Sequence, residues 1–302
     1  MMVNITRNQV KNIGNVLNDK TRPLKERFRA LFCLRNIGGP FSIEEIERSF
    51  KDPSALLKHE LAYCLGQMQD KEAIPVLVHV LEDDSQETIV RHEAAEALGA
   101  IGSSEVIQIL EKFKNDPAIE LAETCELALE RIKWMQISNN LKSLQKNPYN
   151  SVDPAPPFDS SNEIDLRAIL LDENSNLFQR YRAMFSLRNL QTSEAVRTLG
   201  TALKYGGSLF RHEIAFVLGQ LQHTEAVPFL IESLKDETEN EMVRHECAEA
   251  LGAIATEECI DILKKFLEDS KRVVRESCEI ALDMCEYETS PEFQYANTLL
   301  KI

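Results

Sequence analysis

A pattern that recurs every 33 residues constrains the fold of this chain more than any other feature of its sequence. A His-Glu pair whose histidine precedes a glycine by seven residues occurs four times, at His59, His92, His212 and His245. His59 and His92 lie 33 residues apart, as do His212 and His245. The second two histidines lie 153 residues after the first two. One repeat further out in each half, other residues occupy the histidine position: Glu26, Cys125, Gln179 and Cys278. The sequence therefore predicts eight repeats, formed by duplication of a four-repeat unit.

Each repeat has the pattern of a helical hairpin. In the repeat at 71–102, the apolar stretch 73–81 predicts a first helix, with Pro75 tolerated in its first turn. Residues 88–101 predict a second helix, which Gly99 and Gly102 should end. The pattern Val-Arg-x-x-Ala-Ala-x-Ala-Leu-Gly-x-Ile resembles the short HEAT-like repeats, whose units have this size. The predicted fold is all-α, a HEAT-like helical-hairpin solenoid.

The predicted domains are two four-repeat halves, 1–145 and 163–302, joined by a proline-rich linker at 146–162. The linker holds four prolines and little apolar periodicity, which is typical of an extended segment. At roughly 3 Å per residue, its first 15 residues, 146–160, could span on the order of 40 Å. That length would allow the two halves to turn and face each other.

Charge and composition limit the partners of the chain. The net charge of −15 argues against a nucleic-acid partner and favours a cationic substrate or a basic protein surface. No apolar run approaches the length of a membrane span, and the first residues lack an apolar signal region. The seven cysteines are an odd number without a Cys-x-x-Cys pair, and most lie in apolar helical patterns. We therefore expect reduced core thiols and a cytoplasmic protein.

The His-Glu pairs are predicted to lie on one face of each second helix. On a helical wheel at about 100° per residue, an apolar stripe that includes Val90, Ala94 and Ala97 lies opposite His92. That stripe should pack into the core, so the histidines should leave it. One turn beyond their histidines, Tyr63 and Phe216 could form the wall of a pocket.

A single exposed His-Glu pair is usually a solvated surface feature, but the distribution of these four pairs favours a function. The outer repeats show that the hairpin folds without the pair, and only the inner two repeats of each half carry it. Four imidazoles and four carboxylates around one groove would repel one another without a cation, and two divalent metals would balance the carboxylates. Imidazole and carboxylate without thiolate suit iron, manganese or zinc. The sequence thus predicts a dinuclear metal site, whose metal the spacing does not identify.

Other candidates are weaker. His79 and His223 have no repeated glutamate partner and are interpreted as structural. Cys125 and Cys278 share the histidine register, but a packing role is favoured over metal binding. Two other functions stay open, a dinuclear manganese or zinc hydrolase with a bridging hydroxide, and a metal-free HEAT scaffold that binds a peptide.

The repeats, the four His-Glu pairs and the linker sequence Ser-Val-Asp-Pro-Ala-Pro-Pro together resemble the deoxyhypusine hydroxylase family over essentially the whole chain. The resemblance implies a non-haem di-iron monooxygenase that uses dioxygen and an external reductant. Its substrate would be the deoxyhypusine side chain of translation initiation factor 5A. It also implies two iron ions, ferrous in the resting reduced state. Separately, we expect a monomer with no nucleic-acid or membrane partner.

The resemblance further implies roles for individual residues. Two imidazoles and one carboxylate from each half would bind iron: His59, His92, Glu93, His212, His245 and Glu246. The carboxylates of Glu60 and Glu213 would bind substrate instead. No catalytic residue is expected beyond the metal site. Carboxylates in a narrow groove suit this substrate, because deoxyhypusine carries amines along a thin alkyl chain.

Overall fold

A computed structural model describes residues 5–137, 147–291 and 295–296, and within these ranges it contains sixteen α-helices and no strand. The first eight helices are α1 (Arg7–Asn18), α2 (Leu24–Ile37), α3 (Gly39–Glu47), α4 (Ala55–Met68), α5 (Ile74–Glu82), α6 (Thr88–Ile101), α7 (Ile107–Phe113) and α8 (Ile119–Ile137). The remaining eight are α9 (Glu163–Leu171), α10 (Leu177–Leu190), α11 (Ser193–Ala202), α12 (Ser208–Leu221), α13 (Val227–Lys235), α14 (Glu241–Ile254), α15 (Glu257–Lys265) and α16 (Arg272–Glu288). Short 3-10 segments adjoin several of them, at Arg48–Lys51, Lys71–Ala73, Ser104–Val106, Thr224–Ala226 and Phe266–Glu268. Paired in order, the helices give the eight predicted hairpins, so the all-α prediction is confirmed.

Internal contacts divide the chain into two compact units, Met1–Leu129 with Pro291–Ile302, and Glu130–Ser290. The second unit thus begins within α8 and includes the described part of the linker. The predicted end of the first half at 145 and the predicted start of the linker at 146 lie outside the described residues. The division into 1–145, 146–162 and 163–302 stays a prediction.

The second helices of neighbouring hairpins pack closely where each His-Glu motif has its glycine. A Cβ atom at Gly66 would lie 2.7 Å from the Ala97 Cα, so α4 and α6 approach closely there. In the second unit, a Cβ at Gly219 would lie 3.0 Å from the Ala250 Cα. Residues seven apart share one face of a helix, so this approach occurs on the face that carries the histidine. The motif spacing therefore brings successive histidines together.

The two glycines near the C-terminal end of α6, Gly99 and Gly102, have different roles. The predicted helix 88–101 matches α6, and Gly102 ends it in a left-handed conformation with a φ of 71°. Gly99 was also expected to end the helix, but it lies inside α6. A Cβ there would lie 2.7 Å from the Ala128 Cβ, so Gly99 permits the close approach of α8.

Buried arginines fix the two helices of a hairpin to each other. Arg91 at the start of α6 donates its Nε–H to the carbonyl of Leu81 in α5, at 3.0 Å. The same bond recurs from Arg244 to Leu234 at 3.0 Å. An arginine in this position satisfies a carbonyl that the end of the first helix leaves without a helical partner.

The described linker residues, 147–162, have no regular secondary structure but are packed against α10. Arg188 of α10 binds the Asp153 carboxylate, and the Phe158 N–H donates to the Ser186 Oγ at 2.8 Å. Ala155 is fully buried. The linker was predicted to be an extended spacer, and the absence of helix in 147–162 agrees with that. It is not a loose tether, however, because the buried guanidinium of Arg188 requires a carboxylate partner.

Candidate metal centres

In the first unit, three side chains of α4 and α6 meet at one point. The ligand atoms of His59, His92 and Glu93 all lie within 4.8 Å of one another. The His59 Nε2 lies 3.3 Å from the Glu93 Oε2, and the two imidazole centroids are 5.6 Å apart. All three residues are buried, and His92 has no exposed surface. Two imidazoles and one carboxylate thus form a compact donor set.

The second unit repeats this arrangement on α12 and α14. The His212 Nε2 lies 3.4 Å from the Glu246 Oε2, and the centroids of His212 and His245 are 5.3 Å apart. These residues are buried as well, and His245 has no exposed surface. The duplication of the sequence is therefore also a duplication of side-chain geometry.

The burial of the histidines differs from the wheel prediction. The apolar stripe is in the core as predicted, with Val90 and Ala94 fully buried. The histidine face was expected to leave the core, yet His59 and His212 are each only 5% exposed. A helical wheel gives the direction of a side chain but not what covers it.

The carboxylates predicted to bind substrate are buried beside the same histidines. Glu60 is 7% exposed and Glu213 is 3% exposed. Burial raises the pKa of the Tyr63 phenol well above its ordinary value, and the negative charges of Glu60 and Glu93 raise it further. The Tyr63 phenol is therefore neutral, and its place in the wall of a pocket stays a prediction.

The basic residues that precede the histidines are engaged elsewhere. Lys58 pairs with Glu87 at 2.6 Å, and Arg211 pairs with Glu239 at 2.7 Å. Arg91, which precedes His92, lies 3.5 Å from Asp116. These ion pairs connect successive repeats and therefore stabilise the solenoid.

Each donor set fits a divalent transition metal. A buried carboxylate is costly unless a cation or strong donors compensate it, and imidazole nitrogens are good ligands. Two histidines and one carboxylate per metal leave coordination positions open, as in non-haem iron oxygenases. The donors of both sets are nitrogen and oxygen, without sulfur.

The weaker candidates lie outside the two donor sets. All seven cysteines are buried thiols. Burial raises the pKa of Cys125 and of Cys278 to about 12, so both thiols are protonated in the absence of a metal, and their packing role stays a prediction. The His223 Nδ1 accepts the N–H of Glu225 at 3.2 Å, which caps the following turn. His79 is exposed in the last turn of α5.

Two polar residues beside His245 were not among the candidates from the sequence. Glu249 lies one turn further along α14, and its Oε1 is 3.5 Å from the His245 Nδ1. Ser277 comes from α16, and its Oγ is 3.4 Å from the same nitrogen. The recurrence of a glutamate four residues after the histidine, at Glu96 and at Glu249, was a signal in the sequence that could have found Glu249.

Comparisons with known proteins agree with this architecture. A family model of HEAT repeats matches residues 22–130 and 207–283, and a model of the PBS lyase HEAT-like repeat matches 179–205. The fold and its comparisons define a HEAT-repeat protein. Among the helices that the structure describes, none has the length and apolar content needed to cross a membrane.

Individual relatives identify the family. Deoxyhypusine hydroxylase from Drosophila melanogaster is 61% identical, with 99% of this chain and 98% of that protein covered. The enzyme of Homo sapiens is 57% identical over 98% and 97% of the two chains. A solved structure of human deoxyhypusine hydroxylase in complex with glycerol matches with a TM-score of 0.91 and 56% identity, covering 93% of this chain and 97% of that chain. The chain belongs to the deoxyhypusine hydroxylase family, and it is a hydroxylating enzyme of hypusine biosynthesis.

Proposed function

We propose that each half of the chain binds one iron ion through two histidines and one glutamate. The ligands would be His59, His92 and Glu93 in the first half, and the corresponding set in the second half, His212, His245 and Glu246. The observation that carries this proposal is the buried donor set that occurs with similar geometry in both units. Ferrous iron held in this way supplies electrons and open coordination positions for dioxygen.

The substrate of the proposed reaction is the deoxyhypusine side chain of translation initiation factor 5A. The name that the relatives share supports the substrate group. Glu60 and Glu213 would bind the amines of that side chain, since each carboxylate can accept charge-assisted hydrogen bonds. Their burial strengthens such contacts, because electrostatic attraction grows as the local dielectric constant falls. The net charge of −15 also suits attraction of a basic substrate protein.

The residues of the chain have two tasks in this scheme. The imidazoles and the carboxylates of Glu93 and Glu246 hold the metals in place. Glu60 and Glu213 hold the substrate amines, so that the alkyl carbon to be hydroxylated has a fixed position. The cytoplasmic location and the monomeric state stay predictions, the first supported by seven buried, reduced cysteines.

Metal analysis and single substitutions test the proposal. We expect two iron ions per chain in protein purified from iron-replete cells. Replacement of His59, His92, His212 or His245 with Ala should lower the iron content and abolish hydroxylation of the deoxyhypusine form of factor 5A. Wild-type protein without bound transition metal would contradict the proposal. A manganese or zinc hydrolase would instead lack an oxygen-dependent visible absorption band.

A further inference from the structure

Three side chains of the second unit form a hydrogen-bonded group at His245. The Ser277 Oγ donates to the Glu249 Oε1 at 3.0 Å and lies 3.4 Å from the His245 Nδ1. The Glu249 Oε1 is itself 3.5 Å from that nitrogen. The His245 ring has no exposed surface, so no bulk water competes for its Nδ1.

The number of protons in this group determines the tautomer of His245. A serine hydroxyl carries one proton, and here it goes to the Glu249 carboxylate. Toward His245, the hydroxyl oxygen can then only accept a hydrogen bond, and the Glu249 Oε1, which already accepts the serine proton, is an acceptor as well. Both neighbours of the His245 Nδ1 are therefore acceptors, which requires the ring proton on Nδ1. The lone pair of His245 is then on Nε2.

We propose that Ser277 and Glu249 are positioning residues that hold His245 in the Nδ1–H tautomer, so that its Nε2 binds the metal of the second half. This inference rests on the proposed function. Histidine ligands commonly donate their second ring N–H to an acceptor, which fixes the orientation of the ring and makes the ligand more basic. Here the acceptors come from two consecutive repeats, since Glu249 lies on α14 and Ser277 on α16.

The first half is built differently at the corresponding position. Thr124 stands 153 residues before Ser277, and Glu96 stands 153 residues before Glu249. The Thr124 hydroxyl donates its proton to the carbonyl of Glu120 in its own helix, at 2.7 Å. In the second half the Ser277 hydroxyl donates to the Glu249 carboxylate, whereas in the first half the Thr124 hydroxyl donates to a backbone carbonyl of α8. The hydroxyl should therefore matter for metal binding in the second half only, and Thr124 provides a matched control.

The two halves can be compared by the retention of iron against a chelator. Iron-loaded full-length protein is equilibrated anaerobically with increasing chelator, and the iron that remains per chain is measured. We expect Ser277→Ala to lower the affinity for one of the two iron ions by about 10–100-fold and to leave the affinity for the other unchanged. Glu249→Ala should act similarly, because the Ser277 hydroxyl could then donate to Nδ1 and place the ring proton on Nε2. Thr124→Val should retain both ions like the wild type.

Thermal unfolding of the same variants separates positioning from packing. The Glu249 side chain is 17% exposed, so its removal should leave the fold intact even if Ser277→Ala impairs folding. The inference is overturned if Glu249→Ala and Ser277→Ala both retain two ions as tightly as the wild type. It is also overturned if Thr124→Val loses iron to the same degree as Ser277→Ala. Wild-type protein that binds no iron would instead refute the proposed function on which the inference rests.

Discussion

Arg188 binds the carboxylate of Asp153 with both terminal nitrogens of its guanidinium, at 2.9 and 2.6 Å. The Arg188 side chain is fully buried, and the Gln220 Oε1 accepts a third bond from it at 2.8 Å. Asp153 belongs to the proline-rich linker, whereas Arg188 and Gln220 belong to α10 and α12. The linker therefore contributes to the polar interior of the second unit.

The first prediction concerns this ion pair. Asp153→Ala should lower the free energy of unfolding by about 3–5 kcal/mol, because it leaves the Arg188 charge buried without its carboxylate. Asp159→Ala is a suitable control, since Asp159 lies in the same linker but is exposed, and it should change stability by less than about 0.5 kcal/mol. Urea unfolding of both variants measures the difference. Equal stability of the two variants would mean that the linker is only a connector.

Local periodicity predicted the helices well, but contacts between distant residues were beyond it. The second helix 88–101 was predicted correctly because its apolar positions recur with the helical period. Arg188 and Asp153 are 35 residues apart, and in sequence each looks like an ordinary surface charge. Their pairing depends on how an irregular segment folds back on α10. The helical period of 3.6 residues does not specify such a contact between distant residues.

The candidate sites were predicted to a similar extent. The register of the histidines named the residues that meet, because each repeat places the histidine on the same face of its second helix. Their burial and the contact of Ser277 with His245 depend on packing between repeats, which the register does not specify. The exact role of Gly99 escaped prediction for the same reason, since only the position of Ala128 reveals the close approach.

The second prediction concerns the close approach of α4 and α6. Gly66→Ala would place a Cβ 2.7 Å from the Ala97 Cα, and a backbone atom cannot move away as a flexible side chain could. We expect a loss of stability of about 1–3 kcal/mol, typical of overpacking. The two helices should also separate on the face that carries His59 and His92, so the iron content should fall. Unfolding in urea and metal analysis measure the two effects. Full iron content in a destabilised variant would contradict the second part of this prediction, because the close approach of the helices would then not be needed for metal binding.

The third prediction concerns alkaline stability. Burial raises the pKa of Cys125, Cys278 and Cys285 to about 12, whereas the pKa of a cysteine thiol in an unfolded chain is about 8.5. The folded state thus favours the protonated thiol. This contribution is fully present below the unfolded pKa and is lost as the pH rises from about 8.5 toward 12.

The free energy of unfolding should therefore fall above about pH 9, by up to ~1.4 kcal/mol per pH unit for each such thiol. Urea unfolding in the presence of a reductant, at several pH values between 7 and 10.5, provides the measurement. Cys125→Ala should be less stable at every pH because of the cavity it creates, but its stability should fall less steeply with pH. An identical slope in the variant and the wild type would contradict the role of this thiol.

The last prediction divides the four glutamates of the His-Glu pairs between metal and substrate. Glu93 and Glu246 each lie within 3.4 Å of a histidine nitrogen from the preceding repeat, which is the arrangement expected of metal ligands. Glu93→Gln or Glu246→Gln should therefore lose iron. With two imidazoles and one carboxylate on each metal, a further carboxylate would occupy a position needed by dioxygen. Glu60 and Glu213 are therefore expected to bind the amines of the substrate.

Each charge-assisted contact of this kind contributes about 1.5–3 kcal/mol, so its loss should weaken substrate binding at least tenfold. Glu60→Gln or Glu213→Gln should keep most of the iron and show that loss of affinity for the deoxyhypusine form of factor 5A. Iron content and substrate affinity are measured side by side for all four variants, which are matched in charge and size. The assignment is wrong if Glu60→Gln empties the metal site while Glu93→Gln keeps it full, because the carboxylate that holds iron would then belong to the same helix as His59.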